Sequence, residues 1–263
     1  MMLNGYEEFD AIDGVMDVKL SSWRVFHSYV IDEMLEYSHY VWRGQRDSEW
    51  SLKSSIDRLV EIIPRKTKTK GLIDAHLKKF KVATRGRRGV NPPRDISEDE
   101  WWALGQHNGL ATPLLDWTRS PFVALYFAFE KSDSPKSGVR TVWALSGASS
   151  LNSKLKAIHG NRENNMLQLI RPHQDENARL VSQGGLFTRA PLGQTVDEWV
   201  RSHAKHDEKD AIHLIRILIP DDAREECLRA LNMMNINHMT LFPDLYGASQ
   251  HCNKTFSIKN YHD

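Results

Sequence analysis

The chain contains only two cysteines in 263 residues, Cys227 and Cys252. They lie far apart and outside any metal-ligand spacing, so two incidental thiols are expected rather than a disulfide framework. No apolar run approaches the roughly 20 residues of a membrane span, and no basic-then-apolar stretch opens the chain. The expectation is a cytoplasmic protein with no membrane partner. Neither sign of charge dominates, with 35 Lys and Arg against 34 Asp and Glu. A dedicated polyanion binder is normally more basic, although a local patch remains open. No glycine-rich fingerprint follows a strand pattern, which excludes Rossmann and P-loop readings. The 12 histidines form no H-E-x-x-H pattern, and no metal is expected. Repeats and low-complexity segments are absent.

What is present is enough apolar material for a core: 40% hydrophobic residues, with 8 Trp, 9 Phe and 7 Tyr. That length and composition fit one large domain or two small ones. Trp23, Phe26, Val30, Met34 and Tyr37 recur at helical spacing and predict a helix over residues 22–40, started by Ser21 or Ser22. Tyr40 to Gln45 reads as a short buried strand ending at Gly44. Lys66, Lys68, Lys70, Lys78, Lys79, Lys81, Arg85, Arg87 and Arg88 make residues 64–94 the most basic part, with a helix over residues 71–84. This is either a solvated helix with a loop or a phosphate platform. Ser97 followed by Glu98, Asp99 and Glu100 marks the next helix start.

Further strands are expected at Val139–Leu145 and from His213 to Ile219, stopped by Pro220. A helix from Ala223 to Met233 would be capped by Asp221 or Asp222, and Met239 to Leu245 reads as extended. The irregular alternation predicts an α+β fold with a mixed, mainly antiparallel central sheet flanked by helices. Residues 1–39 are expected as an N-terminal helical segment. Residues 40–263 form the main domain, with the basic helical insertion around 64–94.

The densest chemistry lies in Trp101 to Glu130. His107 follows Gln106 in what reads as a turn, suited to proton transfer, to ligand binding or to holding the turn. Asp116, Thr118 and Ser120 alternate, so an extended chain places them on one face. Ser120 before Pro121 also makes a helix start. The following apolar run, including Tyr126, predicts a central helix. Arg43, at the end of a buried strand, must be paired or hold a ligand. Asp116 is a candidate for the pair, and Gly44 would allow close ligand approach. Gln183, before Gly184 and Gly185, could hydrogen-bond a ligand amide or serve as an ordinary loop residue.

These clusters, in this order, resemble the FRG domain, a mostly bacterial family named for an aromatic-Arg-Gly motif. Trp42-Arg43-Gly44-Gln45 is similar to that motif, with Trp where Phe or Tyr is usual. Gln106 to Thr118, Ser120-Pro121 and Ala124 to Ala128 are similar to its central signature. Pro113 stands where the family commonly has Arg. Gln183 to Thr188 and Leu241 to Leu245 resemble later motifs. A weaker likeness, to the ADP-ribosyltransferase fold, implies NAD as substrate. Arg43, with Gly44 and Gln45, would hold its phosphates, and Thr118 or Ser120 would brace the nicotinamide side. His107 and Tyr126 would orient the ligand. Asp116 and Gln183 would stand near the reacting ribose, where the fold normally offers a glutamate. Gln183 cannot act as a base.

Two functions follow from that resemblance. One is an enzyme that cleaves NAD or transfers ADP-ribose to a nucleic acid or protein acceptor, as a bacterial toxin or phage-defence effector. The other is a non-catalytic nucleotide or nucleic-acid binding module using the same pocket, with Trp42 and Trp117 as stacking surfaces. A hydrolase or nuclease built on His107 and Asp116 ranks below both.

Overall fold

The computed structural model describes residues 4–63, 69–88, 95–146, 149–159, 165–171, 178–208 and 211–261. Its strands are β1 (Tyr6–Glu8), β2 (Val15–Leu20), β3 (Val41–Gln45), β4 (Leu114–Thr118), β5 (Val139–Leu145), β6 (Gln168–Ile170), β7 (Gly185–Arg189) and β8 (Leu214–Pro220). The helices are α1 (Val25–Tyr29), α2 (Ser55–Glu61), α3 (Thr69–Ala83), α4 (Glu98–His107), α5 (Pro121–Phe129), α6 (Ser149–His159), α7 (Ala178–Ser182), α8 (Val196–His203), α9 (Arg224–Met233), α10 (His238–Leu241) and α11 (Leu245–Ser257).

The strands form one sheet in the order β1-β2-β8-β5-β3-β4-β7-β6. Only β2 and β8 run parallel; the other neighbours are antiparallel. The class is α+β. Alternation along the strands sorts side chains onto two faces. Val142 and Ala144 of β5, with Ile215, Ile217 and Ile219 of β8, share a core with α5 and α9. Trp143, Leu145 and Leu214 point the other way, onto Trp199 and Val200 of α8 and Leu151 and Leu155 of α6. A third cluster joins Ile73 and Leu77 of α3 to Trp102 of α4 and Leu114 and Phe187 of the sheet. The basic helix is therefore packed, not loose. Lys66 and Lys68 lie outside the described residues.

One pairing is unusually thin. β3 pairs with β5 along all of Val41 to Gln45, and β4 pairs with β7 along all of Leu114 to Thr118. Between β3 and β4 the register is the single pair Trp42↔Thr118. Beyond it the two strands part, and a cleft opens between two nearly separate halves of the sheet.

Several local expectations meet a different outcome. Residues 6–8 and 15–20, expected within a helical segment, are strands β1 and β2, and Val18 and Leu20 bury on one sheet face. The helix expected over residues 22–40 is α1 followed by a π-helical turn, Val30–Met34. Tyr29, Val30 and Met34 are all buried, whereas Tyr37 is exposed. Asp221 and Asp222 do not cap α9, whose N-cap is Ala223 in the left-handed region (φ 48°). Asp221 instead pairs with fully buried Arg140 at 2.5 Å, a stronger demand on a carboxylate than an exposed cap. The piece expected to be extended from Met239 to Leu245 holds α10 and the start of α11, capped by Asn237 and Asp244. Ser97, by contrast, starts α4 with a reciprocal capping box to Glu100, and Ser120 caps α5 ahead of Pro121.

Candidate functional site

The cleft between β3 and β4 encloses about 990 Å³, near the upper end of ordinary ligand pockets. Its wall brings together sequence clusters far apart in the chain: Arg43, Gly44 and Gln45, Asp116 and Thr118, then Gln183 and Phe242. His107 and Tyr126 do not line it.

Arg43 reaches across the gap. Its Nη1 donates to the Asp116 carbonyl at 2.7 Å and lies 3.8 Å from Oδ2 of the Asp116 carboxylate. Its side chain is 20% exposed, yet the buried Nε has no hydrogen-bond partner among the described residues. Burial pushes the guanidinium pKa down, the Asp116 charge opposes this, and Arg58 adds to it. The strand end thus places a partly exposed guanidinium on the cleft wall, a group suited to a ligand oxyanion.

The Asp116 side chain is 64% exposed, although its chain neighbours Leu115 and Trp117 are buried. Gln106 Nε2 donates to its Oδ1 at 2.7 Å, and the Thr112 hydroxyl holds the other end of that amide. Gly44 serves a different purpose from close ligand approach. A Cβ there would stand 1.9 Å from the Ala124 carbonyl oxygen and 2.5 Å from the Ala128 nitrogen. The glycine lets α5 lie directly on β3. Gln45 is buried and occupied: Trp143 Nε1 donates to it at 2.7 Å, and its own Nε2 donates to the Ser51 carbonyl at 3.2 Å.

Thr118 is also committed. Its hydroxyl donates to the Gln183 carbonyl at 2.6 Å and accepts from the Ser120 backbone at 3.1 Å. It ties β4 to the turn that carries Gln183. Gln183 Nε2 donates to the Leu241 carbonyl at 3.0 Å, which links that turn to the end of α10. His107 is exposed, in the last turn of α4 rather than in the turn beyond it. Partial desolvation of its ring lowers its pKa; Arg179 acts the same way, and Asp244 opposes both. Trp42 and Trp117 are core residues, and Trp117 donates to Thr188 at 2.8 Å. The stacking surface at the cleft is Trp50, 47% exposed, with the Arg46 guanidinium 5.0 Å from its ring.

Among the described residues the wall carries five cations and five carboxylates, so it suits a ligand bearing both signs rather than a bare polyanion. Most cations have an acid beside them: Arg46 with Asp133 at 2.6 Å and Lys53 with Glu61 at 2.6 Å. Arg58 donates to the Lys53 carbonyl at 2.6 Å and has no carboxylate in ion-pair range among the described residues.

Residues 38–137 match the family model of the FRG domain. Over that stretch the chain is similar to the FRG domain. The match covers β3 and β4, most of the cleft wall, and the whole of α5. The Gln183 and Phe242 motifs lie beyond the matched residues of the FRG domain but fold onto the same cleft. No curated protein and no solved structure matches the chain.

Sequence reasoning missed the carboxylate on the inner wall, Glu130. It is the first charged residue after the apolar run of α5, a signal that was available. Its partner His238 lies 108 positions later in the chain, and no local pattern connects the two.

Proposed function

We propose that the cleft binds NAD and cleaves its nicotinamide–ribose bond, passing ADP-ribose to water or to a nucleic acid or protein acceptor, on an ADP-ribosyltransferase-like framework. The observation that carries this reading is Arg43, held at the parting of β3 and β4 with its guanidinium partly exposed on the cleft wall. A pyrophosphate supplies the planar array of oxygens that a guanidinium fork binds best. The mixed charge of the wall suits a ligand with anionic phosphates and a cationic nicotinamide ring. Exposed Trp50 offers the adenine a stacking face. The toxin or phage-defence setting comes from the family resemblance alone.

The test is nicotinamide release from NAD, followed by chromatography with and without RNA, DNA and cell extract. Arg43→Ala is expected to lower release on the order of 100-fold or more. Arg43→Lys, which keeps the charge but loses the fork, should recover only part. A folded wild-type protein that neither releases nicotinamide nor gains thermal stability with NAD removes this reading.

One surface favours a second reading, a nucleic-acid binding module. On α3 and the turn after it, Lys70, Lys78, Lys79, Arg85 and Arg87 are exposed. Lys81 and Arg88 lie 5.5 and 4.6 Å from the Trp101 ring. Reversing Lys78, Lys79 and Arg85 to Glu should weaken RNA or DNA binding and flatten its salt dependence. Under the enzymatic reading, the same changes leave nicotinamide release from free NAD intact.

A further inference from the structure

Glu130 follows directly on α5, whose last carbonyls lack partners within the helix and carry the negative end of its dipole. Cations from distant parts of the chain satisfy them. Arg140 donates to the Ala128 carbonyl at 2.6 Å, and Arg224 to those of Phe129 and Glu130 at 2.8 and 2.7 Å. Lys254 Nζ donates to the Glu130 carbonyl at 2.9 Å. The backbone of Glu130 is therefore pinned, while the residue lines the cleft with its side chain 13% exposed.

Behind that side chain runs a buried chain of donors. The Tyr126 hydroxyl lies 2.5 Å from Nδ1 of His238, and Nε2 of His238 lies 3.2 Å from Oε1 of Glu130. Burial raises the pKa of Tyr126 and the nearby Glu130 charge adds to it, so the phenol keeps its proton and can donate it to Nδ1. A ring that accepts at Nδ1 carries its hydrogen on Nε2 and donates it to Glu130. Burial alone would raise the Glu130 pKa, but the His238 hydrogen bond and Lys131, 3.2 Å away, outweigh it and hold the carboxyl below its ordinary range. The result is an ionised carboxylate, fixed at one oxygen, on the wall of a cleft.

We propose that Glu130 is the catalytic carboxylate of the cleft and that His238 and Tyr126 are its positioning residues. This rests on the NAD reading above and supplies the acid that Gln183 cannot. Asp116 is the poorer candidate, since it is largely exposed and already engaged by Gln106 and Arg43. In the reaction, the bond between ribose C1′ and the nicotinamide nitrogen breaks, and its electron pair leaves with nicotinamide. Positive charge develops on the ribose, where the nearby carboxylate stabilises it. An oxygen of water or of an acceptor hydroxyl bonds to C1′ and gives its proton to Glu130, which releases it to solvent. The sum is nicotinamide, an ADP-ribosylated oxygen and one proton.

The experiment pairs nicotinamide release with NAD-induced thermal stabilisation, measured on wild type, Glu130→Gln, Glu130→Asp, His238→Phe and His238→Gln. Glu130→Gln should keep the stabilisation and lose release on the order of 100-fold or more, a fall in kcat rather than a rise in KM. If Glu130→Gln does not fold, Glu130→Asp reads the same split, because it keeps the charge but withdraws it by one methylene. His238→Phe should lower kcat on the order of 10- to 100-fold. His238→Gln, whose amide can still donate to Glu130, should restore part of it, which a purely structural role does not predict. Wild-type release that Glu130→Gln leaves unchanged overturns the role of Glu130 alone. NAD binding without release by wild type overturns that role too, while the nucleotide site stands. No NAD binding by wild type removes the NAD reading and this role together.

Discussion

Gly44 shows how a residue beside a site can be held there by packing. Alanine at a glycine position usually gains about 0.4–1 kcal/mol by restricting the unfolded chain. Here its Cβ would meet backbone atoms of α5 at 1.9 and 2.5 Å, and backbone cannot rotate away as a side chain can. Gly44→Ala is therefore expected to destabilise the fold by at least about 1–3 kcal/mol, read as a lower urea midpoint. An unchanged midpoint would mean that α5 does not rest on β3 as described. Lys254 gives a prediction of opposite character. Burial pushes its pKa down to about 8, against the ordinary 10.5, with Glu130 opposing the shift. Between those two values the unfolded chain binds more protons than the folded one, so this group makes stability rise with pH across that window. Lys254→Met removes the titration. The stability of wild type relative to that variant should climb from pH 8 to about pH 10, and a flat difference would contradict the burial of the ammonium group.

At the scale of elements, α5 organises the site. Ser120 and Pro121 start it, its apolar faces fill the main core, and its C-terminal carbonyls are gripped by Arg140, Arg224 and Lys254. Arg140 is fully buried and also pairs with Asp221. Arg140→Leu leaves that acid and the end of α5 without their partner, and a loss of about 3–5 kcal/mol is expected from chemical denaturation. Adding Asp221→Leu should recover part of it, because the uncompensated charge is then gone. A single variant as stable as wild type would show that the helix end is held by other means. The cap and the apolar run of α5 were legible in the sequence because both are local. The grip on its far end was not, since Arg224 and Lys254 arrive from α9 and α11.

For the whole molecule, the decisive feature is the single Trp42↔Thr118 pair joining two halves of one sheet. A ligand seated between β3 and β4 touches both halves and stabilises their joint arrangement. NAD at about 100 times its dissociation constant should add about 2.7 kcal/mol, roughly 5–10 °C in Tm for a chain of this size. Arg43→Ala should abolish most of that shift while leaving the ligand-free Tm close to wild type. If the ligand-free Tm collapses instead, the contact between Arg43 and Asp116 serves mainly to hold the two halves together.

The sequence by itself determined the class of fold, the local starts of α4 and α5, and the strands β3, β5 and β8. Each depends on hydrogen bonds and apolar periodicity among residues near one another in the chain. It also singled out Arg43, Asp116 and Gln183, whose polar side chains interrupt apolar surroundings. The tertiary structure alone decided that these three share one cleft, that Gln45 and Thr118 spend their hydrogen bonds on the fold, and that Asp116 faces solvent. It alone joined Glu130 to His238 across 108 positions. Such pairings depend on how strands order in a sheet and where helix ends meet distant charges, and the energies that settle them are summed over the whole core.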